Sequence, residues 1–163
     1  MDEPAVIERP AQHYVGITAP VTMTTFGIVA DRIPELFAHL AQHGCAPAGA
    51  PFFRYHCIDM ERELIVEAGV PVEAAVAGTG DIAAGLLPAG RYVTLLHAGH
   101  PDELVAVSAH LQDWAAAHGL EFDSRPSAEG DLWGCRLETF LTDPREVADP
   151  AQWQTELAYK LAD

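Results

Sequence analysis

The pattern of this chain runs through a strand, a helix and two strands, then through the same series again. That duplication restricts the fold more than any single motif does. In the first pass Tyr14-Val15-Gly16-Ile17-Thr18 reads as a strand. An amphipathic segment from Asp31 to His43 follows, with Ile33, Leu36, Phe37 and Leu40 at helical spacing. Asp31 is suited to cap it, Pro34 to its first turn and Gly44 to its end. Phe52 to Ile58 and Leu64 to Val72 are aromatic and β-branched runs joined by the charged turn Asp59 to Glu63, the pattern of a hairpin. Pro71 predicts an edge position or a bulge near the end of the second run. Residues 77–90, rich in Gly, Ala and Pro, read as a connector.

The second pass starts with the strand Arg91 to His97. Pro101 opens a helix with Asp102 and Glu103 in its first turn, where acids suit the dipole. Leu104, Val107, Leu111, Trp114 and Ala115 make its buried stripe, and Gly119 ends it. Trp133 to Leu141 is a strand, broken at Thr142-Asp143-Pro144, and Trp153 to Leu161 reads best as a last strand. The halves also match locally: Pro10-Ala11-Gln12-His13-Tyr14-Val15 resembles Pro88-Ala89-Gly90-Arg91-Tyr92-Val93. A period of about half the chain is too long for a solenoid unit. It predicts one α+β domain over residues 1–163, built of two halves (about 5–76 and 86–162) related by a pseudo-twofold axis. Where such halves meet, a groove suited to a small ligand is expected.

Charge then narrows the partners. The 163 residues carry nine Lys plus Arg against 24 Asp plus Glu, a formal charge of −15, and Lys160 is the one lysine. Such a surface repels phosphate backbones and anionic membranes, so no nucleic-acid and no membrane partner is expected. A cationic or neutral partner fits the field. Met1-Asp2-Glu3-Pro4 has no basic region ahead of an apolar one, and no run of 18 apolar residues exists, so neither signal peptide nor membrane span is read. Cys45, Cys57 and Cys135 form no CxxC pair and read as free thiols in a reducing, cytoplasmic setting.

Glu138 is the most informative residue, because it interrupts an apolar strand between Leu137 and Phe140. A carboxylate there is costly to bury without a partner. Alternation puts it on one face with Gly134, Arg136 and Phe140, opposite Cys135, Leu137 and Thr139. With the helices on that second face, Glu138 is expected to face the groove. The plain alternative is a surface ion pair with Arg136. Phe52, Phe53 and Tyr55 in one half, and Trp133, Phe140, Trp153 and Tyr159 in the other, supply rings for a core or for groove walls. An acid at the bottom of an aromatic groove suits lipophilic cations, and the same setting raises its pKa toward that of a general acid. His39 with His43 and His97 with His100 lack HExxH or a third ligand at supporting spacing, so no metal is expected. No nucleotide-binding loop or nucleophile elbow is present, and Ser108 and Ser124 do not read as nucleophiles; no cofactor is expected.

Taken together, Phe52-Phe53-Arg54-Tyr55, Val66 to Val72, Gly90-Arg91-Tyr92-Val93, Leu137-Glu138-Thr139-Phe140-Leu141-Thr142-Asp143-Pro144 and Trp153-Gln154-Thr155-Glu156-Leu157 resemble the GyrI-like small-molecule-binding family. That family includes the effector-binding domains of AraC-type and MerR-type multidrug regulators. The resemblance spans nearly the whole chain. It implies a duplicated β-α-β-β fold, a curved antiparallel sheet or open barrel with two main helices, and a central groove for bulky, often cationic, aromatic compounds. Glu138 matches the family's groove glutamate. The implied ligand-binding set is Glu138, Phe140, Trp133, Tyr159, Tyr55 and Phe52, in a stand-alone binder that sequesters drugs and confers resistance. No helix-turn-helix is expected, because the domain starts within about ten residues of Met1. Where relatives often carry Tyr after the glutamate, this chain has Phe140 and lacks the hydroxyl.

Two rival functions remain open at this point. Some relatives are hydrolases that open a cyclopropane in DNA-alkylating natural products; here Glu138 would be acid or water-positioning base, helped by Tyr55 or Tyr159. The other rival is a protein-interaction or inhibitor module whose acidity mimics nucleic acid. The sequence leaves the oligomeric state open.

Overall fold

A computed structural model describes residues 3–163. Ten antiparallel strands form one curled, half-barrel sheet, with the order β1-β6-β10-β9-β3-β4-β2-β5 along its main path. The first half supplies β1 (Ala5–Arg9), β2 (Gln12–Val21), a short α1 (Gly27–Ala30), α2 (Ile33–Gln42), β3 (Phe52–Ile58) and β4 (Leu64–Pro71). The second supplies β5 (Ala83–Leu87), β6 (Gly90–Ala98), α3 (Leu104–Ala117), a hairpin of β7 (Ser124–Ser127) and β8 (Gly130–Trp133), β9 (Arg136–Phe140) and β10 (Gln154–Lys160). The α+β fold, the repeated order and both main helices agree with the sequence pattern.

The halves are interlocked. β1 precedes β2 in the chain but pairs with β6, and β5 precedes β6 but pairs with β2. Each half thus gives its leading strand to the other, and separating them means breaking both ladders. β5 lies inside the stretch read as a connector. Its Gly85 lets the Tyr14 ring lie against the backbone, where a Cβ would collide. A strand of Ala, Gly and Leu carries no β-branched signal.

Burial explains the layering. On the helical face, Val15, Ile17, Val66 and Val70 meet Leu36 and Leu40 of α2 in one core. Val93, Leu95 and Leu157 meet Val107 and Leu111 of α3 in another. Each such side chain contributes about 1.5–3 kcal/mol when fully buried. The opposite face curls over a third cluster that includes Tyr14, Phe52, Tyr92, Cys135 and Leu137.

Local expectations shift in three places. Asp31 does not cap α2; it closes α1, and Arg32 precedes α2 without a side-chain cap. Pro71 is neither at an edge nor bulged: it ends β4, an interior strand, beyond the last pair with β3, so its missing N–H breaks no rung there. The run from Trp133 to Leu141 is two strands, because the chain turns at Gly134, which packs against the Asp123 carboxylate.

The strand registers locate the pseudo-twofold axis. Tyr14 pairs with Pro71 and Tyr92 with Lys160, so aligning the two tyrosines carries Glu67 onto Glu156 and Arg54 onto Thr139. The same step carries Phe53 onto Glu138 and Tyr55 onto Phe140. Phe53 and Glu138 are themselves paired across β3 and β9, so the axis passes between them.

Candidate ligand-binding site

α2 packs on β2 and β4, and α3 on β6, which leaves the central pair β3 and β9 uncovered between the helices. Above that pair lies a cleft of about 800 Å³. Phe53 and Tyr55 reach it from β3, and Arg136, Glu138 and Phe140 from β9, as alternate residues on one face. The helices therefore lie on the same face as Glu138, flanking it, rather than covering the opposite face. Trp133 enters as well, because the turn at Gly134 reverses the alternation that a continuous strand would impose. Met23, Phe26 and Met60 form one wall, and Leu104, Val105 and Ser108 the other. Asp102 and Asp131 also line the cleft.

Glu138 is held by the other half of the molecule. Tyr55 Oη donates to Glu138 Oε1 at 2.6 Å, a short charge-assisted hydrogen bond. Burial pushes the Glu138 carboxyl above its ordinary range, while the Tyr55 hydrogen bond and the Arg136 charge pull it partway back. Burial, followed by the neighbouring carboxylate, holds the Tyr55 hydroxyl well above its own ordinary value, so it stays a donor.

Arg136 sits in a cage of rings. Its guanidinium carbon lies 4.4 Å from the Tyr159 ring centre, 4.7 Å from Trp133 and 5.8 Å from Tyr55. Nη2 donates to Ser108 Oγ at 3.0 Å, and Ser108 Oγ is 2.8 Å from Tyr159 Oη. The alternative reading, an ion pair of Glu138 with Arg136, is not what forms: Glu138 accepts from Tyr55 and Arg136 donates to Ser108.

The structure brings Glu138, Phe140, Trp133 and Tyr55 to the cleft. Tyr159 lies beneath it, fully buried, and touches the site through Ser108 and the Arg136 cation. Phe52 faces the other side of the sheet, edge-on to Tyr14 at 5.3 Å, because it is one residue out of phase with Phe53. Phe26, which stacks on Phe53 at 5.8 Å, is a wall residue that periodicity did not mark. It precedes a one-turn helix too short to show a face.

Among the described residues, no group of three or more His, Cys, Asp or Glu side chains is placed to hold a metal ion. His39 instead contacts the Ala77 carbonyl at 2.8 Å. Cys45, Cys57 and Cys135 are free thiols. No helix among these residues is long and apolar enough to cross a membrane.

An uncovered central strand pair, flanked by two helices and floored by rings around a carboxylate, defines a small-molecule-binding domain. The family model for the GyrI-like small molecule binding domain matches residues 2–161, and the chain belongs to that family. No curated protein sequence matches it. Among solved structures it is similar to the EcmrR C-terminal domain, with a TM-score of 0.78 and 19% identity over 99% of this chain and 98% of that one. It spans 57% of the EcmrR chain seen in complex with DNA. A hydrolase from Listeria innocua is similar with a TM-score of 0.70 and 12% identity, over 98% of this chain and 92% of that one. SAV2435, solved bound to tetraphenylphosphonium, is similar with a TM-score of 0.61 and 9% identity, over 99% and 94%. At these identities the likeness is one of fold.

Proposed function

We propose that the cleft binds lipophilic aromatic compounds carrying positive charge, and that the protein acts as a drug-sequestering binder. One observation carries the reading: Glu138 stands between aromatic walls with one oxygen held by Tyr55 and the other receiving no hydrogen bond from the described residues. Glu138 is the anionic anchor, Tyr55 positions it, and Trp133, Phe140 and Phe53 supply flat contact surface. Tyr159 positions Arg136 and Ser108 from below. Asp102 and Asp131 add to the negative field of the cleft. The similarity to SAV2435, whose structure holds a phosphonium cation, is in keeping with this chemistry. The test is a fluorescence titration of rhodamine 6G against wild type and Glu138→Gln. A fall of at least tenfold in affinity supports the anchor; equal affinities overturn it.

A second reading, hydrolysis of an electrophilic ring, is favoured by the raised Glu138 carboxyl beside a tyrosine that stays protonated. Incubation with an electrophilic cyclopropane and mass spectrometry separates the two. A product heavier by one water that disappears in Glu138→Gln means catalysis, and unchanged compound recovered from the protein means binding alone.

A further inference from the structure

The cleft floor carries two unlike charges side by side, each with unused hydrogen-bonding capacity. Arg136 and Glu138 are two residues apart on β9, so their Cα atoms lie roughly 6–7 Å apart and both side chains leave the same face. They form no ion pair with each other. Glu138 uses Oε1 to accept from Tyr55, and Oε2 accepts from none of the described residues. Arg136 uses Nη2 to donate to Ser108, and Nη1 donates to none of them. Ser108 and the rings of Tyr159, Trp133 and Tyr55 fix the guanidinium, so its position is built in.

A ligand that is only a cation uses half of this arrangement. The ring cage that would attract one already holds Arg136. A second positive charge would gain from Glu138 and lose to Arg136. We propose that the preferred ligands are amphoteric aromatic compounds, with a cationic or hydrogen-bond-donating group for Glu138 and a carboxylate or similar acceptor for Arg136 Nη1. This rests on the cleft being the binding site for charged aromatics and narrows the ligand class within it. Fixed, partly desolvated donors and acceptors discriminate strongly against ligands that leave one of them unpaired.

The experiment compares rhodamine 110, a zwitterion with a free carboxylate, with rhodamine 123, its methyl ester and a cation, on the same fluorescent core. Wild type is expected to hold the acid about tenfold more tightly than the ester. Arg136→Gln is expected to remove that preference, and Arg136→Lys to keep part of it. Equal or tighter binding of the ester by wild type overturns the proposal without recourse to any variant, as does an unchanged preference in folded Arg136→Gln. Loss of the ester's sensitivity to Glu138→Gln is a separate failure, and it strikes the anionic anchor rather than the arginine.

Discussion

Glu67 in the first half and Glu138 in the second both stand inside apolar strands, and the two are treated differently. Glu67 on β4 is 5% exposed and faces away from the cleft. Tyr14 donates to it at 2.6 Å and His56 at 2.8 Å, while Arg54 donates to the same Tyr14 oxygen at 3.0 Å and to the Gly134 carbonyl at 2.9 Å. That network joins β2, β3, β4 and the approach to β9 on the side opposite the helices. Among the described residues Glu138 on β9 has a single donor, and it opens on a cavity. Two donors on one Glu67 oxygen, one of them in turn bonded by Arg54, tie neighbouring strands together. Glu138, with one donor among the described residues and an 800 Å³ cleft beside it, is available to a ligand. The duplication makes the frame, and the departure from symmetry makes the site.

The departure is visible at the axis. Phe53 and Glu138 occupy equivalent positions, so a ring faces an acid across it. Tyr55 is equivalent to Phe140, and the hydroxyl missing at Phe140 reaches Glu138 from Tyr55 instead.

The contrast is broken most severely at Glu67. Glu67→Ala strands Tyr14 and His56, and is expected to lower stability by about 3 kcal/mol in denaturant unfolding. The folded fraction should bind tetraphenylphosphonium as wild type does. A weakened affinity with stability intact would reverse the two roles. Glu138→Gln should do the opposite. It should lower affinity for that cation about thirtyfold by calorimetry, close to 2 kcal/mol. Stability should stay within about 1 kcal/mol of wild type or rise, because burial of its charge opposes folding.

The sequence signal for both glutamates is the same: an acid inside an apolar strand. That signal singled out Glu138 and applies equally to Glu67 in Leu64–Pro71. What separates them is the partner set, contributed by residues far away in the chain, at a sequence separation of 83 for Tyr55 and Glu138 and of 53 for Tyr14 and Glu67. The main helices and the β3–β4 hairpin were legible because their periods are local. The exchange of β1 and β5 was not, since pairing across halves leaves no local pattern. The resemblance implies Phe52 as a site residue, yet the ring that reaches the cleft is its neighbour Phe53; a phase error of one residue moves a ring through the sheet.

Two smaller effects sharpen the same contrast. Affinity for a permanent cation should fall as pH drops through the raised Glu138 range, since the protonated carboxyl no longer attracts it. Glu138→Gln should flatten that profile. Tyr55→Phe removes a donor that favours the charged form, so the loss should begin at higher pH, with affinity near neutrality reduced about fivefold. A profile unchanged by Tyr55→Phe would mean that this hydrogen bond does not tune the acid.

The most direct measurement is a crystal structure of the protein with tetraphenylphosphonium bound. The expected result is the phosphonium over the β3–β9 pair, with phenyl rings against Phe53, Trp133 and Phe140 and the Glu138 carboxylate as its nearest charged group. A cation found elsewhere, or seated in the cleft with Glu138 turned away from it, would contradict the role assigned to that residue.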